Sequence, residues 1–299
     1  MKEVLEKDLM RVGDILLKAL GTSEYEEIVR MGGLTNRTYR VSLGSGGLFV
    51  VRIPGEGTEE LIVRQDERVS TKLACDLEID AKLLYFGDDG AKVTEYISDA
   101  VTMSAESMKL PGHIRQAAAV FRKLHSCNID TGVSFEVFDM AKGYEKIIWK
   151  NRVEMYGDYE GVKEKVIKIK EEVDSICEIH KVPCHNDALC ENWIMSGKKR
   201  MYLVDWEYAG MNDGMWDLAD VSIEASYDHA LDEMFLTEYF ERKPTEMDWK
   251  HFLANKLYVD YLWTLWAKTR VPYDGKPMEE WADTRYKRLK SNISLFESI

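Results

Sequence analysis

The string His185-Asn186-Asp187-Ala188-Leu189-Cys190-Glu191-Asn192 sets a carboxylate near one end of a short segment and an amide at the other. Asp205 follows at the end of the apolar run Tyr202-Leu203-Val204. Phosphoryl transfer asks for little else from side chains: a carboxylate to orient the attacking hydroxyl, and metal ions to neutralise the phosphates. In that chemistry Asp187 can face the hydroxyl, while Asn192 and Asp205 can reach a Mg2+ ion with oxygen ligands. That ion keeps several of its waters, so two protein ligands suffice. The plain alternative is that His185-Asn186-Asp187 is an ordinary turn and that Asp205 caps a strand. His185 reads as a structural histidine that ties the loop down, not as a proton carrier. His180, Cys184, His185 and Cys190 lie close together, yet their spacing matches no common zinc finger.

The surrounding elements favour the chemical reading. Short β-rich runs fill the chain before about residue 97, and long helical patterns fill most of the rest. Strands are predicted at Tyr25–Met31, Thr38–Leu43 and Leu48–Ile53, the last two joined by the hairpin turn Gly44-Ser45-Gly46-Gly47. A helix is predicted from about Thr58 to Cys75, with Thr58 as N-cap and Glu59 and Glu60 in its first turn. Strands Ala81–Phe86 and Ala91–Ile97 follow, split by Asp88-Asp89-Gly90. Downstream, helices are predicted over Pro111–Ser126, with proline in the first turn, and over roughly 139–156 and 159–180. The helical texture then breaks at the motif, where Trp193–Met195 and Met201–Trp206 read as a hairpin closed by Ser196-Gly197-Lys198-Lys199-Arg200. The expected fold is α+β and two-lobed, like a protein kinase. A five-stranded antiparallel sheet plus a helix forms residues 1–96, the nucleotide-binding lobe. A mainly helical lobe, 97–299, carries the catalytic loop and the substrate site.

The small lobe supplies candidate nucleotide contacts. Gly32-Gly33-Leu34-Thr35-Asn36 joins its first two strands, and glycine there lets backbone N–H groups approach phosphates closely. Gly33, Thr35 and Asn36 are the cofactor-binding candidates of this loop, although a Gly-Gly pair also marks any turn. Arg52 ends the third strand, where it can pair with phosphate, and Glu67 on the following helix can hold it in place. A planar guanidinium is not equivalent to the usual lysine. The plain alternative is a surface arginine and a solvated glutamate.

Bulk properties bound the function. The chain has 299 residues, 45% hydrophobic and 31% charged, with a net charge of −13. This is ordinary for a soluble enzyme, and the acidity disfavours nucleic acid and anionic membrane as partners while attracting cations. Five cysteines without a Cys-x-x-Cys pair fit a reducing cytoplasm better than a disulfide framework. The first twenty residues are apolar at helical spacing but interrupted by acids, unlike a signal peptide. No apolar run is long enough for a membrane span.

The strings GGLTNRTY, GEGTEELIVRQDE, CHNDALCEN and LVDWEYAGMNDGMWDLA span essentially the whole chain. Together they resemble the aminoglycoside phosphotransferase and choline kinase superfamily, and within it the bacterial choline kinases that feed phosphocholine decoration of surface glycans. Asp205-Trp206-Glu207 stands where a generic kinase has Asp-Phe-Gly, and the Asn-x-x-x-Trp-Asp-Leu-Ala after it is similar to choline and ethanolamine kinases. The resemblance implies ATP and Mg2+ as cofactors, Asp187 as catalytic base, and Asn192 and Asp205 as metal ligands with Glu207 as an auxiliary group. It implies an Arg52–Glu67 pair at the phosphates, Asp217 as a brace of the catalytic loop, and adenine bound to backbone near Glu95–Ile97. Arginine or lysine stands at the Arg52 position in that group.

The resemblance also implies choline as the small-molecule substrate. A quaternary ammonium donates no hydrogen bond and is held by aromatic faces and a nearby carboxylate, each cation–π contact being worth about 0.5–2 kcal/mol. Trp263 and Trp266 stand at i and i+3, on one helix face. The family's choline-facing positions correspond to Glu224, Trp263, Trp266 and Trp281, with Tyr227 a looser match. The plain alternative is that these tryptophans are core. Ethanolamine, thiamine or an aminoglycoside is the substrate of a second reading, and a non-catalytic binding module is a third. The intact set Arg52, Glu67, Asp187, Asn192 and Asp205 argues against the third.

Overall fold

A computed structural model describes residues 6–31, 36–44, 46–55 and 62–298. Gly33, Thr35, Ser45 and the expected helix cap Thr58 with Glu59 and Glu60 lie outside the described residues. The chain divides into two compact units. The first comprises residues 1–103 together with 191–209, the second 104–190 together with 210–299. The hairpin after the catalytic motif thus groups with the first unit, whereas the boundary expected at residue 97 assigns it to the helical lobe.

In the first unit, α1 (Glu6–Leu20) precedes β1 (Glu27–Arg30), β2 (Arg37–Ser42) and β3 (Leu48–Ile53). Then come α2 (Arg64–Asp76), β4 (Leu83–Phe86), β5 (Lys92–Glu95) and the short β6 (Val101–Thr102). The order β1-β2-β3-β5-β4, antiparallel throughout, is the five-stranded sheet expected from the sequence. Its strands alternate Tyr39 and Val41 inward on β2 with Val51 and Ile53 on β3, the period-2 pattern of a half-buried sheet. Val12, Ile15 and Leu16 of α1, a helical i, i+3, i+4 stripe, fill the same core. Asp8 of α1 fastens the helix further, accepting from Arg37 Nε at 2.9 Å and from the Tyr39 hydroxyl at 2.5 Å.

The second unit runs through α3 (Ala105–Met108), α4 (Pro111–His125), α5 (Val137–Lys150), α6 (Tyr159–Ile176) and β7 (Lys181–Cys184). The chain then enters the first unit as β8 (Trp193–Met195) and β9 (Met201–Leu203), a hairpin that extends β6 into a three-stranded sheet. It returns as β10 (Gly210–Asp213), which pairs antiparallel with β7, and continues into α7 (Gly214–Glu224), α8 (His229–Phe240), α9 (Glu246–Asp274) and α10 (Lys276–Phe296). α9 is buried along most of its length between Phe252 and Thr269 and packs against α5, α6, α7 and α10. Its start is fixed by a capping box in which Thr245 and Asp248 satisfy each other's backbone N–H, as expected for that motif. Strands β6, β7 and β10 are absent from the sequence reading. β7 is four residues with an internal proline, and its partner lies far along the chain.

Candidate active site

The catalytic string occupies a loop whose backbone is held by α7. Asp217 accepts the amides of His185 at 2.9 Å and Asn186 at 2.8 Å, one on each carboxylate oxygen. Asp220, one turn later on the same helix, accepts the amide of Ala188 at 2.6 Å. The amide of Asp187 itself donates to His185 Nδ1 at 3.3 Å. His185 therefore serves the loop structurally, as expected. Trp216 Nε1 donates to the Asn186 carbonyl at 3.0 Å, and the Asn186 side chain bonds to Asn212 and to the Gly210 carbonyl. Asn186 has φ 67°, a left-handed conformation that asparagine tolerates better than most residues. With the amides of His185, Asn186, Asp187 and Ala188 all paired, the backbone under Asp187 is held in place. The phenol of Tyr144 is pushed upward by burial and then by the charge of Asp187.

Behind Asp217 stands a second layer. His125 Nε2 lies 3.0 Å from Asp217 Oδ2, and its Nδ1 lies 2.8 Å from the Tyr239 hydroxyl. A Cβ on Gly214 would sit 3.0 Å from that Nδ1, so the first residue of α7 must be small. His125, Cys184 and Asp217 bring three ligand-type atoms within 4.8 Å of one another. Both histidine nitrogens and both Asp217 oxygens already have partners, so the cluster is a hydrogen-bonded brace. The Cys184 thiol is pushed well up by burial, which keeps it a thiol.

Within the first unit, β8 and β9 pair with Trp193 opposite Leu203, and Val204 donates its amide to the Asn192 carbonyl at 2.9 Å. This brings Asn192 next to the residue preceding Asp205. Asp205 has φ 70°, a strained conformation that clusters at functional sites, and its side chain is one-third exposed. Arg52 binds Glu67 at 2.5 Å, Asp205 at 3.2 Å and the Gly90 carbonyl at 2.8 Å. The strand-cation to helix-carboxylate pair expected from sequence is therefore formed, and both partners are buried. Burial works against the Arg52 charge, but Glu67, Asp205 and Glu207 outweigh it and raise its pKa. Arg64 joins the group, 2.8 Å from Glu67 and 3.5 Å from Glu207. Asn36 donates to Glu207 at 3.1 Å and accepts the Gly55 amide at 3.3 Å. Burial, then the charge of Asp205, pushes Glu207 up to about 7. Two carboxylates crowded this way in a buried segment, with a neighbouring amide side chain, offer the hard oxygen donors that Mg2+ takes; a divalent ion there would relieve the raised Glu207. These residues fit the ion.

At the hinge, Glu95 and Tyr96 donate their amides to the carbonyls of Lys82 and Leu48. The Glu95 side chain is exposed and pairs with Lys82 at 3.1 Å.

The aromatic residues of the second unit form a ladder. Trp216, on α7 and bonded to the catalytic loop, meets Trp263 edge-to-face at 6.5 Å between centroids. Trp263 meets Trp266 at 6.1 Å, and Trp266 meets Trp281 at 6.0 Å. Trp263 is 4% exposed and so is also core; Trp266 and Trp281 are half-buried. Glu224 ends α7 and is ion-paired with Arg285. Tyr227 stands apart from the ladder in its recorded contacts, its hydroxyl donating to the Met108 carbonyl at 2.8 Å and its ring edge-on to Phe235. Asp220 is buried and its Oδ1 has no partner. Burial first, then Glu224 and Asp187, pushes its carboxyl well up. Trp216, Asp220 and Arg285 are absent from the sequence reading of the site. Only the Trp-Asp pair at 216–217, within a family-like string, could have pointed to Trp216.

Comparison with known proteins shows what the chain is similar to. A family model described as choline/ethanolamine kinase matches residues 28–289. A solved choline/ethanolamine kinase family protein from Mesorhizobium loti is similar at TM-score 0.83 and 31% identity, covering 95% of this chain and 94% of that one. The choline kinase LicA of Streptococcus pneumoniae is similar at TM-score 0.83 and 28% identity, covering 97% and 99%. Protein LicA of Haemophilus influenzae is 26% identical over 278 residues, 90% of this chain and 79% of that protein.

Proposed function

The chain belongs to the choline/ethanolamine kinase family, a small-molecule kinase of protein-kinase-like fold that moves a phosphoryl group from ATP to an alcohol, and on that premise we propose that its alcohol is choline. The tryptophan ladder carries this reading. It runs from the catalytic loop through Trp216 to Trp263, Trp266 and Trp281 within one unit, and aromatic faces are what a quaternary ammonium needs in place of hydrogen-bond acceptors. Ethanolamine is the alternative, because the family description covers both alcohols; its primary ammonium prefers carboxylates.

In this reading Asp187 accepts the hydroxyl proton as the oxygen bonds to the γ-phosphorus and the bond to the departing ADP breaks. The clamp of α7 on the loop keeps Asp187 in place for that step, the positional contribution on which phosphoryl transfer depends. Mg2+, when bound, supplies charge neutralisation at the phosphates. Asn192 and Asp205 are its proposed ligands, with Glu207 beside them. Arg52, fixed by Glu67, is the proposed phosphate contact. Gly33, Thr35 and Asn36 are the proposed phosphate loop, and the Ile97 amide with the Glu95 segment receives adenine. Glu224 and the more distant Tyr227 complete the proposed substrate residues. Residues 1–96 are the proposed nucleotide-binding lobe and 97–299 the proposed lobe of catalysis and substrate, although 191–209 group with the first unit. Five free cysteines and dependence on ATP support a cytoplasmic place of action. A net charge of −13 supports a cationic small molecule and not nucleic acid as partner. No helix among the described residues is long and apolar enough to cross a membrane.

Trp263→Ala tests the ladder. Choline should bind more weakly by about 0.5–2 kcal/mol, the worth of a cation–π contact, with ATP affinity nearly unchanged. Equal loss of both affinities in calorimetric titrations would make Trp263 a packing residue only.

A further inference from the structure

Arg285 on α10 is a charged side chain with 3% exposure. Its Nη2 pairs with Glu224, its Nη1 lies 3.5 Å from Asp260, and its guanidinium carbon lies 3.9 Å from the centroid of Trp281. Asp260 has a better partner in Arg288, which contacts it twice, at 2.8 and 2.6 Å. The charge of Arg285 is therefore left chiefly to Glu224 and to the face of Trp281. These are the one carboxylate and one of the aromatic faces proposed above for the substrate's cation.

We propose that Arg285 is a specificity-determining residue: by occupying Glu224 and the face of Trp281 it withholds a hydrogen-bond acceptor from the substrate's nitrogen and so selects a quaternary over a primary ammonium. This rests on the substrate reading of Glu224 and the tryptophans. A primary ammonium brings N–H donors into the site, and each one that loses water without finding an acceptor is penalised. A quaternary ammonium has no such donor, so it loses no hydrogen bond when Glu224 is engaged. Arg285 repels both cations alike, so the discrimination comes through Glu224, not through net charge. The competing account gives Arg285 a mechanical role, tying α10 to α7 and α9.

The test compares kcat/KM for choline and ethanolamine in the wild type, Arg285→Gln, Arg285→Lys, Glu224→Gln and the Arg285→Gln/Glu224→Gln double variant, with thermal unfolding of each. In Arg285→Gln the ratio should move toward ethanolamine by about ten- to a hundred-fold, the worth of one charge-assisted hydrogen bond. The double variant should lose that gain, and Arg285→Lys, which keeps a charge on Glu224, should stay near the wild-type ratio. Glu224→Gln alone should change both substrates together; this arm remains readable if Arg285→Gln does not fold. An Arg285→Gln enzyme in which both substrates fall together at constant ratio overturns the assignment, as does a ratio moved by Glu224→Gln alone. A wild type that is inert toward both amines overturns the substrate reading together with this one. An active wild type with an unmoved ratio overturns only the role of Arg285.

Discussion

Asp187 is the residue on which the proposed chemistry turns, and it was legible because its spacing to Asn192, with Asp205 following a hairpin pattern, matches what phosphoryl transfer asks of side chains. Its support was partly legible: Asp217 came with the family-like string, whereas Asp220 carries no motif. Arg285 was invisible for a related reason, since its partners Glu224, Asp260 and Trp281 come from three different helical segments and only the packed chain brings them to one guanidinium. Asp187→Ala should lower kcat by at least the ~10²–10⁴-fold that general-base catalysis supplies and leave nucleotide binding intact, because the proposed nucleotide contacts are other residues. Single-turnover measurements alongside nucleotide titration check both halves. Turnover near wild type would remove Asp187 from the role of base.

Elements set where those residues stand, and two connections make the argument concrete. The turn between β4 and β5 ends in Gly90, at φ 84°. A Cβ there would lie 2.5 Å from Arg64 Cδ and 2.6 Å from its Nε, and the Gly90 carbonyl holds Arg52. Gly90→Ala therefore forces Arg64 of the Glu67 cluster to shift and strains the turn whose carbonyl holds Arg52. It should cost about 1–3 kcal/mol of stability and weaken ATP binding more than choline binding; an unchanged urea midpoint would contradict this. At the start of α7, Asp213 caps the helix through the Met215 amide and ion-pairs with His251 of α9. Burial opposes its charge, but the His251 contact and the neighbouring amides hold its pKa below the usual range. A carboxyl depressed on folding adds stability above its unfolded pKa, near 4, and loses it as pH falls through the lower folded value. Asp213→Asn keeps the cap and should be less stable by about 1–2 kcal/mol at pH 6, with the gap closing below about pH 4. A gap independent of pH would assign the loss to packing. The sheet and its hairpins could be read from alternation and turn residues. β7 and β10 could not, because their pairing is non-local and each is only four residues long.

For the whole chain, the path of the backbone matters more than its composition. Residues 191–209 leave the helical unit directly after the catalytic loop, fold with the first unit, and return into β10 and α7. One excursion thus carries the proposed metal ligands Asn192 and Asp205, and its return delivers the helix that clamps Asp187. No local pattern encodes such an exchange between units, which is why the sequence reading drew its single boundary near residue 97. The acidity of the chain was visible from the start and fits a cationic substrate, but it does not separate one amino alcohol from another. That distinction is the account's central claim. Its most direct measurement is 31P NMR of the wild-type enzyme with Mg-ATP and equal concentrations of choline and ethanolamine. Phosphocholine should accumulate first and in excess; phosphoethanolamine as the main product, or neither phosphoester, would contradict it.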